Sequence, residues 1–270
     1  MTQTEVVSNG MNFEVTGSER RWANYGVTQY YGTFEGKPKR YQVVSVALPK
    51  GTQNIVKNPF FIPVPTMVAQ EITHYVAKEL NMEIKEESND GLTYMANLVS
   101  QVKGEVEVGD LVAWGIAVRN NVVGNFRIDA SLFRLVCSNG LMQPEESEIA
   151  NVEKSYDIEA MKESFLTNAQ LLQDTFEEKL ELLRSFKQYK VNQQFAEILA
   201  KSFPAPIIRD VVTVKKKVVQ SFTPKNLWEA YNDITYQISH RKLKLTTRFD
   251  WGLKATRLFE EFVKEQAQTS

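Results

Sequence analysis

One pairing in this chain could support nucleophilic catalysis: Cys137, the single cysteine, with His240, one of two histidines. A thiolate forms at neutral pH only beside a base or a cation. The local pattern puts Cys137 at the C-terminal end of a helix, where the dipole is negative and opposes a thiolate. The expected role is then a small buried hydrophobe, and no catalytic residue is assigned. Glu145, Glu146 and Glu148 fall in a polar connector, and no carboxylate pair has a spacing that forces shared acid–base work. Asp129, between Arg127 and Arg134, is expected to make local ion pairs. EGKPKR lacks the P-loop spacing and GNFRID holds one glycine, so no phosphate-cradling loop is read. Cys137, His74 and His240 have no zinc-ligand spacing. The balance leans away from an enzyme, with no cofactor and no metal expected.

The basic C-terminal region offers more. Arg209, Lys215, Lys216, Lys217, Lys225, Arg241, Lys242, Lys244, Arg248, Lys254 and Arg257 are interleaved with Trp228, Tyr231, Tyr236, Phe249 and Trp251. Cations neutralise backbone phosphates, and exposed aromatic faces stack on unpaired bases. The run RKLKLTTR at 241–248 alternates, so as a strand it would carry Lys242 and Lys244 on one face. Each aromatic taken alone fits a core position as well as a stacking platform. The net charge of −1 hides an asymmetry. Residues 1–135 hold 13 basic and 14 acidic side chains, 136–207 hold 7 and 12, and 208–270 hold 12 and 7. A basic end beside an acidic middle points either to an anionic partner or to two segments facing each other within one fold.

The elements that must position these residues come from periodicity. Residues 1–20 read as a loose arm or an early edge strand. Gly26 to Leu48 predicts a hairpin, VTQYYGTF and YQVVSVAL joined by a Gly–Lys–Pro turn and ended by Pro49 and Gly51. The Pro-studded NPFFIPVP leads into a helix whose face is Val68, Ile72, Tyr75, Val76 and Leu80. Three strands come next, Met82–Glu87, Leu92–Val102 and Asp110–Asn121, and Gly115 inside the third marks a bulge or a close backbone approach. Phe126 to Leu141 predicts a helix with Ile128, Leu132, Leu135 and Val136 on its inner face, stopped at Ser138–Asn139–Gly140.

The second half reads as helical. Residues 144–151 form an acidic connector. Ile158 to Tyr189 keeps a 3.6-residue period through Met161, Phe165, Ala169, Leu172, Phe176, Leu180, Leu183 and Phe186, with a break near Gln173. A second helix runs from Val191 to Phe203 and ends at Pro204. Residues 207–219 are β-branched and fit a strand or a helix. Thr223 and Pro224 predict an N-cap and first turn, with Leu227, Tyr231, Ile234 and Ile238 inside, and a last helix spans about 250–266. The expected fold is α+β: a mostly antiparallel sheet domain with packed helices over 1–150, then a mainly helical region over 151–270, packed on the first as one unit.

FRLVCSNGL at 133–141, together with TPKNLWEAYNDITYQISHRKLKLTTRFDWGLKATRLF at 223–259, resembles the family catalogued as domain of unknown function 932, whose members are often labelled phage/plasmid-like proteins. Members tend to pair a CSNGL-like turn with a later W-x-x-Y-N-x-x-T…H-R helix. Those positions here are Cys137, Ser138, Asn139, Gly140, Leu141, Trp228, Tyr231, Asn232, Thr235, His240 and Arg241. Where the family has a serine- and glycine-rich stretch, this chain has VRNNVVGNFRIDASLF. The resemblance implies a viral or plasmid origin and a role around nucleic acid, without a known chemistry.

The combined expectation is a non-enzymatic nucleic-acid-binding protein, with single-stranded DNA favoured. Lys215, Lys216, Lys217, Arg241, Lys242, Lys244, Arg248 and Trp251 would form its binding surface. The apolar stripe of 158–189 makes a homo-oligomer the second expectation. The absence of a long apolar run and of a basic-then-apolar leader, and the single cysteine, predict a cytoplasmic protein without a membrane partner.

Overall fold

The computed structural model describes residues 4–7, 11–134, 139–142, 149–216 and 218–269. The expected hairpin is β3 (Val27–Phe34) paired with β4 (Arg40–Leu48), and Gly36 takes a left-handed φ of 74° in the polar turn between them. The N-terminal arm supplies two further strands, β1 (Thr4–Val7) and β2 (Met11–Glu19). The hairpin ends at Leu48, just before Pro49, as expected, but the sheet continues beyond it. Pro49 and Lys50 form a two-residue turn, Leu48 lies opposite Gly51, and β5 (Gly51–Lys57) completes the order β1-β2-β3-β4-β5. Buried glutamines tie this sheet to later parts of the chain. Gln29 Nε2 donates to Gln42 Oε1 at 3.0 Å and to the Tyr156 hydroxyl at 2.9 Å, and Gln42 Nε2 donates to the Phe61 carbonyl at 2.6 Å.

Helix α1 (Thr66–Glu79) buries Val68, Ile72 and Val76, as its periodicity requires. It leads into the second sheet: β6 (Glu83–Asn89), β7 (Thr93–Glu107), β8 (Asp110–Asn121), β9 (Phe126–Arg134) and β10 (Asn139–Met142). Each strand pairs antiparallel with the next, and β11 (Ile149–Asn151) pairs with β9. The helix expected over 126–141 is therefore wrong, and β9 stands in its place. Ile128 and Leu132 are four residues apart, a spacing that satisfies a helix and a strand equally, because four is close to 3.6 and is also even. The strand reading wins through burial: Phe126, Ile128, Ala130 and Leu132 all face the main core at 4% exposure or less. Cys137, Ser138, Leu135 and Val136 lie outside the described residues, as does most of the acidic connector.

The helical half keeps closely to the period. Helix α2 (Ile158–Gln173) starts at Asp157, whose carboxylate accepts the Glu159 amide at 3.0 Å, and α3 (Phe176–Ser185) comes after the expected break. Met161, Phe165, Ala169, Leu172, Phe176, Leu180, Leu183 and Phe186 are all buried in the main core. The stripe offered as an oligomer surface is thus occupied by the chain's own sheet and helices. After α4 (Gln193–Ser202) comes a single turn, α5 (Ala205–Ile208), and a small hairpin, β12 (Val212–Lys215) with β13 (Val218–Phe222). Helix α6 (Leu227–Ser239) is capped by Asn226, whose side chain accepts the Glu229 amide at 2.8 Å, not by Thr223 and Pro224. Helix α7 (Leu245–Thr269) is longer at its start than expected.

One buried apolar cluster contains residues of both halves, from Val27 and Trp114 to Phe165 and Phe259. Its helical end is an aromatic stack in which Phe195 meets Phe259 and Phe262 at centroid distances of 4.8 and 4.5 Å. Helices α1 and α2 cover one face of the second sheet. On the other face Phe249 of α7 packs with Met95 and Ala117. The fold is α+β, with antiparallel sheets first and helices gathered in the second half.

Candidate nucleic-acid interface and a charged cleft

The eight residues expected to bind nucleic acid divide by what the fold does with them. Lys215 ends β12 and Lys216 holds the hairpin turn at φ 51°; both are exposed. Lys242 and Lys244 are exposed in the connector from α6 to α7. None of these four makes an ion pair or a side-chain hydrogen bond among the described residues. Lys217 lies outside the described residues.

The other three are taken up by the fold. Arg241 Nη2 donates to the Pro206 carbonyl at 2.9 Å, fastening α5 to the end of α6. Arg248 Nη1 pairs with Glu86 on β6 at 2.5 Å. Trp251 packs half-buried against the main core. The run 241–248 is not a strand. The Leu243 amide bonds to the Arg241 carbonyl in a tight turn, and the Arg248 amide bonds to Lys244 as α7 begins. The alternating basic face is therefore absent. Of the neighbouring cations, Lys225 pairs with Asp233, Lys254 donates to the Ser202 carbonyl, and Arg257 pairs with Glu261.

The aromatics sort in the same way. Trp228 and Tyr231 are buried, Trp228 donating its Nε1 proton to Asp110 at 3.0 Å and Tyr231 sharing a 2.6 Å hydrogen bond with Thr256. Burial pushes the Tyr231 phenol well above its ordinary pKa, which fits a structural hydroxyl. Tyr236 differs. It is 44% exposed, and its ring stacks on that of the exposed His240, with centroids 4.0 Å apart and planes inclined by 24°. The pair sits on the last turn of α6, immediately before Lys242 and Lys244. The two motifs of the family resemblance also adjoin, since β10 runs close to both α6 and α7.

A second polar site was missed in the sequence. In the β8–β9 ladder Arg119 lies opposite Arg127, and Asp129 projects from the same face two residues on. Asp129 is fully buried. Its Oδ2 is 3.3 Å from Arg119 Nε and 3.5 Å from Arg127 Nη2, while Arg119 Nη1 donates to Asp250 of α7 at 3.2 Å. The Arg119 guanidinium also lies 4.8 Å from the centroid of the Phe249 ring. Burial pushes the Asp129 carboxyl up despite the two guanidinium groups, and burial pulls Arg119 down despite Asp129. The local pairing of Asp129 with Arg127 was expected, but through a strand and not a helix. Arg119 carried no signal of its own; only a period of two across 117–133 would have grouped it with Arg127 and Asp129.

Above this group opens a cleft of about 270 Å³ lined by Thr93, Met95, Arg119, Asn120, Asn121, Asn125, Arg127, Thr246 and Asp250. Among the described residues no three histidine, cysteine or acidic side chains gather to hold a metal ion, and no helix is long and apolar enough to cross a membrane. The site thus belongs to an α+β fold with an exposed aromatic–basic helix end and an arginine-lined cleft. The chain matches no family model, no curated protein and no solved structure.

Proposed function

We propose that the protein binds nucleic acid without acting on it chemically, preferring single strands, through the end of α6 and the connector into α7. The observation that carries this reading is the solvent-facing Tyr236–His240 stack beside Lys242 and Lys244, two cations left uncommitted among the described residues. A flat aromatic pair offers a π-face to any unpaired base, and nearby ammonium groups neutralise the phosphates on either side. Lys215 and Lys216 add positive charge on a separate hairpin. The resemblance of the 133–141 and 223–259 segments to phage/plasmid-like proteins supports the same reading and suggests a viral or plasmid setting.

Fluorescence anisotropy with a labelled deoxythymidine oligonucleotide tests it. Tyr236→Ala is expected to weaken binding by about 5- to 150-fold, the equivalent of one lost base stack of roughly 1–3 kcal/mol. Lys242→Ala with Lys244→Ala should weaken binding to all sequences alike and flatten its salt dependence. Unchanged affinity in both variants would overturn the assignment of this surface.

A further inference from the structure

The cleft above Asp129 has more hydrogen-bond donors than the described residues consume. Each guanidinium carries five N–H groups. Yet Asp129, the carboxylate between the two arginines, accepts a well-formed hydrogen bond from neither, and both its oxygens lack such a partner. Asp250 takes one N–H of Arg119. The side chain of Arg127 is 29% exposed and lines the cleft with open donors. Asn121, Asn125 and Thr246 add amide and hydroxyl groups to the wall.

We propose that this cleft binds a phosphate monoester, with Arg127 and Arg119 on the phosphate and Asn125 and Thr246 beside the esterified group. Planar guanidinium forks match the oxygen spacing of a phosphate, and two on adjacent strands can grip one anion from two sides. A volume of about 270 Å³ suits a phosphate with a sugar-sized attachment, being just below the range of ordinary ligand pockets. The proposal does not rest on nucleic-acid binding at α6, because a free mononucleotide or sugar phosphate would satisfy it equally.

Isothermal titration of the full chain at low salt, with inorganic phosphate and with a deoxynucleoside 5′-monophosphate, tests it. Both should bind saturably, the nucleotide more tightly. Arg127→Gln should weaken binding by about 10-fold or more, since a charge-assisted bond is lost. Should that variant fold poorly by circular dichroism, Arg127→Lys keeps the charge beside Asp129 but not the fork, and should also weaken binding. Asp250→Asn removes an acidic group from the rim and should strengthen binding by about two- to five-fold. A 5′-phosphorylated oligonucleotide binding more tightly than its 5′-hydroxyl twin, in the parent but not in Arg127→Lys, would assign the phosphate to a strand end. Equal affinity of the twins with mononucleotide binding intact would assign it to a free compound. Binding of both small ligands weaker than roughly 1 mM, or affinity indifferent to the Arg127 variants, would overturn the proposal.

Discussion

Gly115→Ala is expected to cost about 3 kcal/mol or more, the upper end for forcing extra volume into a packed interior. Gly115 sits in the middle of β8 with β7 on one side and β9 on the other. A Cβ there would lie 2.4 Å from the Leu98 carbonyl oxygen and 2.4 Å from the Phe133 ring. A ring can turn aside, but a carbonyl committed to its strand cannot. The clash must be relieved by parting two central strands. A domain of ordinary stability has roughly 5–15 kcal/mol to lose, so the variant should show a large fall in urea midpoint. A midpoint unchanged from the parent would mean that β7 and β8 do not approach as described.

Trp228→Ala is expected to cost about 3–5 kcal/mol, the usual range for emptying a large aromatic site. Trp228 is 1% exposed, stacks near Tyr231 with centroids 6.2 Å apart, and reaches across to Asp110 at the start of β8. Truncation leaves a cavity where α6 meets the second sheet and removes the donor to Asp110. Trp228→Phe keeps most of the apolar volume and should cost less, which separates packing from the hydrogen bond. Trp228 therefore holds the helix on which Tyr236 and His240 are displayed and is itself hidden from any ligand. Binding by the folded Trp228→Phe protein should stay close to that of the parent, whereas Tyr236→Ala should lose binding at unchanged stability. Denaturant titrations paired with oligonucleotide binding read both quantities.

Much of the fold is legible in the sequence where one periodicity dominates. The 158–189 pattern marks α2 and α3 and their break, and the β3–β4 hairpin is signalled by aromatic and β-branched residues around a Gly–Lys–Pro turn. The failure at 126–141 has a physical cause. Ile128 and Leu132 satisfy both periods, and a buried aspartate between arginines looks like a solvated helix face until neighbouring strands are known. The candidate sites are less legible. Which cations remain uncommitted depends on where Glu86, Pro206 and Ser202 fall in space, and those contacts span 162, 35 and 52 residues of chain. Tyr236 is one aromatic among several in the sequence. Burial of Trp228, Tyr231 and Phe249 is what singles it out.

Among the described residues, the cations of the proposed surface do not pair with carboxylates of the acidic middle. Lys215, Lys216, Lys242 and Lys244 stay clear of ion pairs among the described residues, while Arg241 is tied to the Pro206 carbonyl and Arg248 to Glu86, outside that acidic stretch. Positive charge thus survives at particular positions, on a chain whose total is −1. Short-range contact, not a long-range field, would then govern nucleic-acid affinity.

A salt titration of the parent protein against labelled single- and double-stranded oligonucleotides bears most directly on this account. Single-strand binding should be the tighter, with the logarithm of affinity falling against that of salt by a slope of about −1.5 to −3, as two to four neutralised phosphates require. No detectable binding at low salt, or affinity indifferent to added salt, would contradict it.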